Sequence, residues 1–198
     1  MNIQHQEWQD WIRRAAEQEF LKIRDLRRYL HKHPELSFKE FETSRYLKER
    51  LHEAGIPFSD GWVKTGILAN IEGNANGKTV ALRGDMDALP IMEENKKDYA
   101  SVNAGVMHAC GHDVHSACLF GAGLILNSLK EKLPGNVQLV FQPGEEKNPG
   151  GASLMLEEGV FNRQNPSSIL AQHVFPYIPA GKVGFKAGRY MALVMKYT

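Results

Sequence analysis

The sequence has few cysteines and almost no net charge. Its two cysteines, Cys110 and Cys118, lie in one predicted loop-to-helix segment, a placement that disfavours a disulfide between them. Lysine and arginine total 24 against 23 aspartates and glutamates, a formal charge of +1, and no basic stripe follows any predicted element. This balance argues against a nucleic-acid partner and against a role at a membrane surface.

The sequence also lacks a long hydrophobic run. The first twenty residues carry charges throughout and hold no apolar segment of the kind a signal peptide needs. No later stretch approaches the length of a membrane span. We therefore expect a cytoplasmic protein, in which a cysteine of functional importance would act as a thiolate rather than in a disulfide. With 42% hydrophobic residues in 198, the chain can form one domain with a core, or one domain and part of another.

Apolar residues at helical spacing predict two helices in the first quarter of the chain. The first runs from about residue 6 to about residue 31 and stops before Pro34. For the second, Ser37 with Glu40 three residues later predicts a capping box, and Gly55 predicts its end. Both helices are interpreted as scaffold. The histidines on these helices or at their ends are interpreted as surface or capping residues: His31, His33 and His52.

Strands and helices alternate through the middle of the chain. The runs ILANIE and KTVALR are predicted strands, and residues 73–77 between them have the composition of a hairpin connection. This alternation predicts an α/β fold with a mixed or largely parallel sheet and helices on both faces. Four further elements follow: a helix from about His112 to Leu133, a strand from Val137 to Phe141, a short helix around Ala152 to Glu158, and a strand from Ile169 to Val174.

The segment HACGHDVH, residues 108–115, concentrates a thiol, three imidazoles and a carboxylate where a loop enters a helix. Cys110 and His112 are two apart, so an extended loop can direct both side chains to the same side. Thiolate and imidazole together suit zinc or a similar transition metal. The alternative is a partly buried cysteine beside histidines that cap the helix. Cys118, on the helix that follows, is interpreted as a small hydrophobe facing the core.

A pair of glutamates follows the predicted strand Val137 to Phe141. Glu145 and Glu146 lie at a strand end, where open α/β sheets bind their ligands. Adjacent side chains project differently, so one carboxylate can bind a metal while the other accepts a proton from an activated water. The alternative is a solvated acidic turn.

Two more segments contribute candidate side chains. His173 ends a predicted strand and would reach the edge that carries the glutamates if the strands are parallel; alternatively, it is structural. Asp85 and Asp87 follow another strand and could orient ligand imidazoles, although aspartates are also common in turns. Because three independent elements each deliver a ligand type to one edge, the sequence predicts a metal site there.

Six segments resemble a known family. They are HPELSFKEFET at 33–43, ALRGDMDALPI at 81–91, HACGHDVH at 108–115, VFQPGEE at 140–146, and GASLMLEEGV followed by QHVFP. Together they resemble the amino-terminal half of the bimetallic aminoacylase and carboxypeptidase metallopeptidases. The resemblance is to the amidohydrolase branch, which includes hippurate hydrolases, N-acetyl-diaminopimelate deacetylases and auxin-conjugate hydrolases. It implies an incomplete catalytic domain of the zinc-exopeptidase type.

The resemblance also implies roles for individual residues. Two divalent metals, which could be zinc, manganese, cobalt or nickel, would be held by Cys110, His112, Glu146 and His173. Glu145 would be the general base, and Asp87 would be a supporting acid near the metals. The implied activity is hydrolysis of the amide bond of N-acyl amino acids or small peptide-like conjugates, by a water that the metals activate.

The resemblance implies that the chain contains two segments of very different length. Residues 1–188 correspond to the amino-terminal part of the catalytic domain, and residues 189–198 to the start of a satellite dimerisation domain that is otherwise absent. Family members also carry a late metal-binding histidine, which these residues do not include. Two hypotheses follow. Either the chain is one piece of an enzyme that dimerises through the satellite domain, or it is a noncatalytic metal-binding fragment or structural subunit.

Overall fold

The computed structural model describes residues 3–188, and residues 189–198, the predicted start of a satellite domain, lie outside the described part. Four α-helices and five strands alternate along this region. The helices are α1 (Ile3–Lys32), α2 (Phe41–Glu53), α3 (His112–Ser128) and α4 (Gly151–Glu157), with a short 3-10 helix at Lys130–Lys132. The strands are β1 (Phe58–Trp62), β2 (Gly66–Ile71), β3 (Thr79–Asp85), β4 (Asn136–Gln142) and β5 (Ser168–Ala171).

The strands form one mixed sheet in the order β1-β2-β4-β3-β5. β3 pairs in parallel with both β4 and β5, with Leu82 opposite Leu139 on one side and Leu170 on the other. β1 and β2 are antiparallel to each other, and β2 is antiparallel to β4. Helix α3 connects β3 to β4, as a parallel pair requires a crossover. The predicted α/β class is confirmed.

Helices cover both faces of the sheet, as the sequence predicted. Alternate residues of a strand point to opposite faces, so β4 contributes Leu139 and Phe141 to one core and Val140 to the other. Helices α1, α2 and α3 pack on the first core, where Phe120 is 1% exposed. Helix α4 contributes Met155 to the second core.

The predicted hairpin between β2 and β3 is wrong, because β4 lies between them. The turn at residues 73–77 packs against the entry to β4, where Gly73 N–H donates to the Asn136 side chain at 3.1 Å. Six of the seven residues of β4 are buried, including its last five. A strand buried on both faces takes a central position, and its two edges then accept β2 and β3.

Three predictions for single side chains are also wrong. Ser37 and Glu40 do not form a capping box: Ser37 Oγ donates to Asp87 at 2.6 Å, and the Glu40 side chain makes no capping hydrogen bond to α2. His31 is buried rather than at the surface, since it lies between two carboxylates. Cys118 is exposed rather than core-facing. Each error concerns which tertiary neighbour a side chain meets, which helical spacing does not specify.

The edge of the sheet formed by β5 exposes apolar side chains to solvent. All four residues of β5 are exposed, including Ile169 at 53% and Leu170 at 60%. Cys118 lies beside this edge and lines a surface cavity together with Leu170. Among the helices of residues 3–188, none is both long and apolar enough to cross a membrane.

Candidate metal centre

The candidate site lies at the carboxyl ends of the three parallel strands. β3 ends at Asp85, β4 ends at Gln142 directly opposite it, and β5 leads into His173. The carboxyl edge of parallel strands is where open α/β sheets bind ligands. The structure therefore places the two aspartates, the two glutamates and His173 at the edge that the sequence indicated.

His112 is the first residue of α3 and is fully buried. The preceding Gly111 has a left-handed backbone (φ 83°), which turns the loop sharply into the helix. Asp87 Oδ1 lies 3.1 Å from His112 Nδ1 and so fixes the orientation of the ring. The other ring nitrogen, Nε2, is buried and has no hydrogen-bond partner among the described residues.

Cys110 and His173 face each other across the opening of the site. Cys110 Sγ lies 3.3 Å from His173 Nε2. His173 Nδ1 lies 2.6 Å from the carbonyl oxygen of Val174. A carbonyl can only accept, so Nδ1 carries the proton and Nε2 presents its lone pair toward the sulfur.

The two glutamates lie on a turn that a third glutamate holds in place. Glu40 Oε1 accepts hydrogen bonds from the backbone N–H groups of Phe38 at 2.9 Å and Gly144 at 2.8 Å. Glu40 Oε2 accepts from Thr65 Oγ1 at 2.8 Å. Gly144 has a left-handed backbone (φ 57°), and a Cβ there would meet the Phe38 ring. These contacts therefore fix the backbone of the turn that carries Glu145 and Glu146.

Glu146 points into the site, and Glu145 lies at its rim. Glu146 N–H donates to Asp87 Oδ2 at 3.0 Å, so Asp87 contacts both His112 and the glutamate turn. Glu146 Oε1 lies 3.7 Å from His112 Nε2, and neither atom has a hydrogen-bond partner among the described residues. Glu145 is exposed.

Three sets of donor atoms lie close enough together to hold a metal ion. Each set has all its potential ligand atoms within 4.8 Å of one another. The sets are Cys110 with His112 and His173, His112 with Glu145 and Glu146, and Asp85 with His112 and His115. His112 belongs to all three. The first two sets contain the residues singled out from the sequence, and the third adds His115.

Clustered carboxylates perturb the pKa values of the site. Burial, reinforced by the carboxylates of Glu146, Glu145 and Asp85, raises the pKa of the Cys110 thiol to about 12. Burial and the charge of Glu146 raise the pKa of Glu145. Burial lowers the pKa of His112, but the hydrogen bond to Asp87 and the nearby carboxylates outweigh it and raise that pKa.

These observations fit a divalent cation. A buried imidazole nitrogen and a buried carboxylate oxygen face each other without partners, an arrangement that is costly unless something satisfies both. A cation among four carboxylates would also favour the Cys110 thiolate, which the local negative charge otherwise disfavours. Sulfur, imidazole and carboxylate together are ligands suited to zinc and related metals.

Sequence reasoning singled out Asp85 but missed two sets of polar contacts beneath the site, those of Asp85 and those of Asp113. Burial raises the pKa of Asp85, but the hydrogen bond from His115 (2.5 Å) and the charge of Arg83 outweigh it and lower that pKa. Asp113 binds His31 at 2.8 Å and Arg27 at 2.8 Å, which joins the start of α3 to α1. The spacing of Arg27 and His31, one helical turn apart, was the available signal for the second group.

Comparison with known proteins supports this description. The model of Peptidase family M20/M25/M40 matches residues 81–195. An N-acetyl-L-cysteine deacetylase of Bacillus subtilis is 43% identical over 172 residues, which is 87% of this chain and 41% of the relative. An N-acyl-L-amino acid amidohydrolase of Geobacillus stearothermophilus is 42% identical over 84% of this chain and 44% of its own length. The chain thus spans less than half the length of these relatives.

Solved structures give the same result. The YXEP protein of Bacillus subtilis, described as a dinuclear metal binding peptidase from the M20 family, matches with a TM-score of 0.79 and 42% identity. The match covers 84% of this chain and 46% of that one. Human carnosine dipeptidase 1 matches with a TM-score of 0.63 but only 13% identity, which shows a shared fold alone.

Proposed function

Because this chain belongs to peptidase family M20/M25/M40, we propose that it is the metal-binding part of a hydrolase acting on amide bonds. The substrate class we propose is N-acyl amino acids or small peptide-like conjugates, since two relatives are named an N-acetyl-L-cysteine deacetylase and an N-acyl-L-amino acid amidohydrolase. One observation supports the proposal above the others: His112 Nε2 and Glu146 Oε1 face each other, buried and unpartnered, 3.7 Å apart.

The residues proposed to hold two divalent metals are Cys110, His112, Glu146 and His173. Zinc, manganese, cobalt and nickel are all compatible with this donor set. When bound, such a metal polarises a carbonyl group and makes water a better nucleophile at neutral pH. Asp87 holds the His112 ring at 3.1 Å, the role of an outer carboxylate beside a ligand histidine.

Glu145 is the proposed general base. Glu145 is exposed at the rim but partly desolvated by the site, and its position next to Glu146 in the sequence puts it beside the proposed ligands. The raised pKa of Glu145 suits a group that accepts a proton from the attacking water and returns it to the departing amine. Glu146, with its backbone held by Asp87, is the ligand of the pair.

The test is an assay of amine release from a panel of N-acetyl amino acids with each of the four metals. The 198-residue chain is compared with a chimera in which residues 1–188 replace the matching half of the Geobacillus stearothermophilus amidohydrolase. In the active form, Glu145→Gln should lower turnover by about 10²- to 10⁴-fold and leave metal content unchanged. Glu157→Gln, an exposed glutamate on α4, is the matched control.

Two outcomes would contradict the assignment. Loss of metal from Glu145→Gln would show that the roles of Glu145 and Glu146 are exchanged. Metal binding without turnover in both the chain and the chimera would instead favour a noncatalytic metal-binding subunit. A homodimer formed through the satellite domain that the resemblance implies stays part of the proposal, and sedimentation of the 198-residue chain beside the chimera tests it.

A further inference from the structure

His115 lies one helical turn after His112 and has both ring nitrogens engaged. Its Nδ1 lies 2.5 Å from Asp85 Oδ1, and its Nε2 accepts a hydrogen bond from the backbone N–H of Val174 at 2.9 Å. Because Nε2 accepts, the proton resides on Nδ1 and is donated to Asp85. The ring therefore has no free lone pair for a metal, although Asp85, His112 and His115 lie close enough together to suggest one.

The residue that His115 holds is the one that orients His173. The Val174 carbonyl accepts from His173 Nδ1 at 2.6 Å, so the N–H and C=O groups of Val174 are bonded to the two different histidines. The rings of His115 and His173 also meet edge to face, with centroids 4.5 Å apart. Fixing Val174 therefore fixes the direction in which His173 Nε2 points.

Further contacts hold Asp85 and Val174 in place. Asp85 is held by Arg83 at 2.8 Å and by Ser116 Oγ, which donates to the Asp85 carbonyl at 2.8 Å. The Val174 side chain packs over Gly111, where a Cβ would come within 2.4 Å of a Val174 methyl group. The hydrogen bonds of His115 to Asp85 and to Val174 thus connect β3, α3 and the segment after β5. The strand β5 itself is exposed throughout.

We propose that His115 is a positioning residue that orients the His173 imidazole for metal binding through the backbone of Val174. This inference rests on the proposed function only in taking His173 as a metal ligand. Aligning the ligand in advance removes an ordering cost at binding, which is how outer partners increase metal affinity.

Two substitutions separate the two hydrogen bonds of His115. In His115→Gln, the side-chain oxygen can reach the position of Nε2 and accept from Val174. In His115→Asn, the shorter amide can donate to Asp85 but leaves the Val174 N–H without its acceptor. His52→Asn, on the exposed face of α2, is the matched control.

The first measurement is amide hydrogen exchange at Val174 in the metal-free 198-residue chain. We expect exchange roughly 3- to 10-fold faster in His115→Asn, the factor given by one ordinary hydrogen bond, and near wild type in His115→Gln. Unchanged exchange in His115→Asn would show that His115 does not hold the Val174 backbone, which would overturn the proposal. A wild type that binds no metal would count against the proposed function, and this measurement would still decide the inference.

The second measurement is zinc affinity by competition with a chromophoric chelator, together with thermal unfolding. His115→Asn should weaken zinc binding by about 10- to 100-fold, and His115→Gln should restore most of it. Equal loss in both variants with equal loss of stability would indicate a merely structural residue. Equal loss in both with unchanged stability would indicate that His115 is itself a ligand. Either result overturns the proposal.

Discussion

The two sides of the candidate metal centre are held in different ways. The inner side, defined by Asp87, His112 and Glu146, is built on α3 and on the loops after β3 and β4, and His112 is completely buried. The outer side, defined by Cys110 and His173, stands beside β5, whose residues are all exposed. The inner side is oriented by the core, whereas the outer side depends on a few hydrogen bonds.

This difference predicts where substitutions should act. On the inner side, a lost contact leaves buried polar groups without partners, so stability and metal affinity should fall together. On the outer side, the same loss frees an exposed segment, so metal affinity should fall with little change in stability. The following predictions test that contrast.

The largest effect is expected from a ligand of the outer side. The resemblance assigns Cys110, His112 and His173 to one metal, and the second metal also requires a late histidine outside these residues. The 198-residue chain should therefore bind about one metal tightly, which suits three protein ligands with an open position. His173→Ala should lower zinc affinity by more than about 100-fold, beyond what loss of an outer partner costs, and should leave the melting temperature nearly unchanged.

Glu146→Ala is the comparison for that experiment and should weaken zinc binding less. Metal analysis after dialysis and calorimetric titration measure both variants. Two tightly bound metals per chain, or tight binding that survives the loss of His173, would show that the ligands are wrongly divided.

The second-largest effect is expected in the turn that carries Glu145 and Glu146. Glu40→Ala removes the acceptor of two backbone N–H groups and one hydroxyl, and should lower the free energy of unfolding by about 2–5 kcal/mol. Glu40→Gln keeps an acceptor oxygen and should cost much less. Chemical denaturation of the three proteins gives the values, and equal stability of Glu40→Ala and wild type would contradict the role.

Glu40 also predicts a pH dependence. Burial raises its pKa, although its hydrogen bonds oppose the shift, so the folded state holds the proton more tightly than the unfolded chain. The stability that protonated Glu40 contributes is therefore lost as the pH rises from the ordinary pKa of a glutamate toward the raised pKa of Glu40. Across that window Glu40→Gln should gain stability relative to wild type as the pH increases. A difference that is constant with pH would show that the pKa of Glu40 is not raised.

A smaller effect is expected at Asp87, which orients the inner side. Asp87→Asn retains the size of the side chain but weakens its contacts with His112, Ser37 and the Glu146 backbone. Zinc affinity should fall about 10- to 100-fold, as for other outer carboxylates of ligand histidines, and the melting temperature should fall as well. Asp98→Asn, an exposed residue, is the control. Affinity loss with unchanged stability would contradict the contrast between the two sides.

The smallest effect distinguishes the two thiols. Because burial and the nearby carboxylates raise its pKa, the metal-free Cys110 should be almost entirely protonated at pH 8 and should be alkylated slowly. Burial also raises the pKa of Cys118, but Cys118 is exposed and lacks the carboxylates that surround Cys110, so it should react faster, in contrast to the inert role expected from helical spacing. Zinc should protect Cys110 further and leave Cys118 unaffected. Mass spectrometry of peptides after timed labelling checks this, and faster labelling of Cys110 would contradict it.

The sequence by itself determined the fold class and the position of the candidate site. Alternating helical and strand patterns predicted the α/β sheet, because burial imposes periods that are visible in one chain. The clusters around Cys110, Glu145 and His173 each follow a strand or open a helix, and strand ends of parallel neighbours share an edge. These features are local in the chain, so local patterns were sufficient to predict them.

Only the tertiary structure decided which groups meet. The insertion of β4 between β2 and β3, the contact of Ser37 with Asp87, and the burial of His31 all join residues far apart in sequence. No periodicity encodes such pairs, since many partners satisfy the same local pattern. The same reason explains why HACGHDVH could not show that His112 retains a free nitrogen while His115 does not. That distinction depends on Asp85, Asp87 and Val174, which the folded chain brings to the two rings.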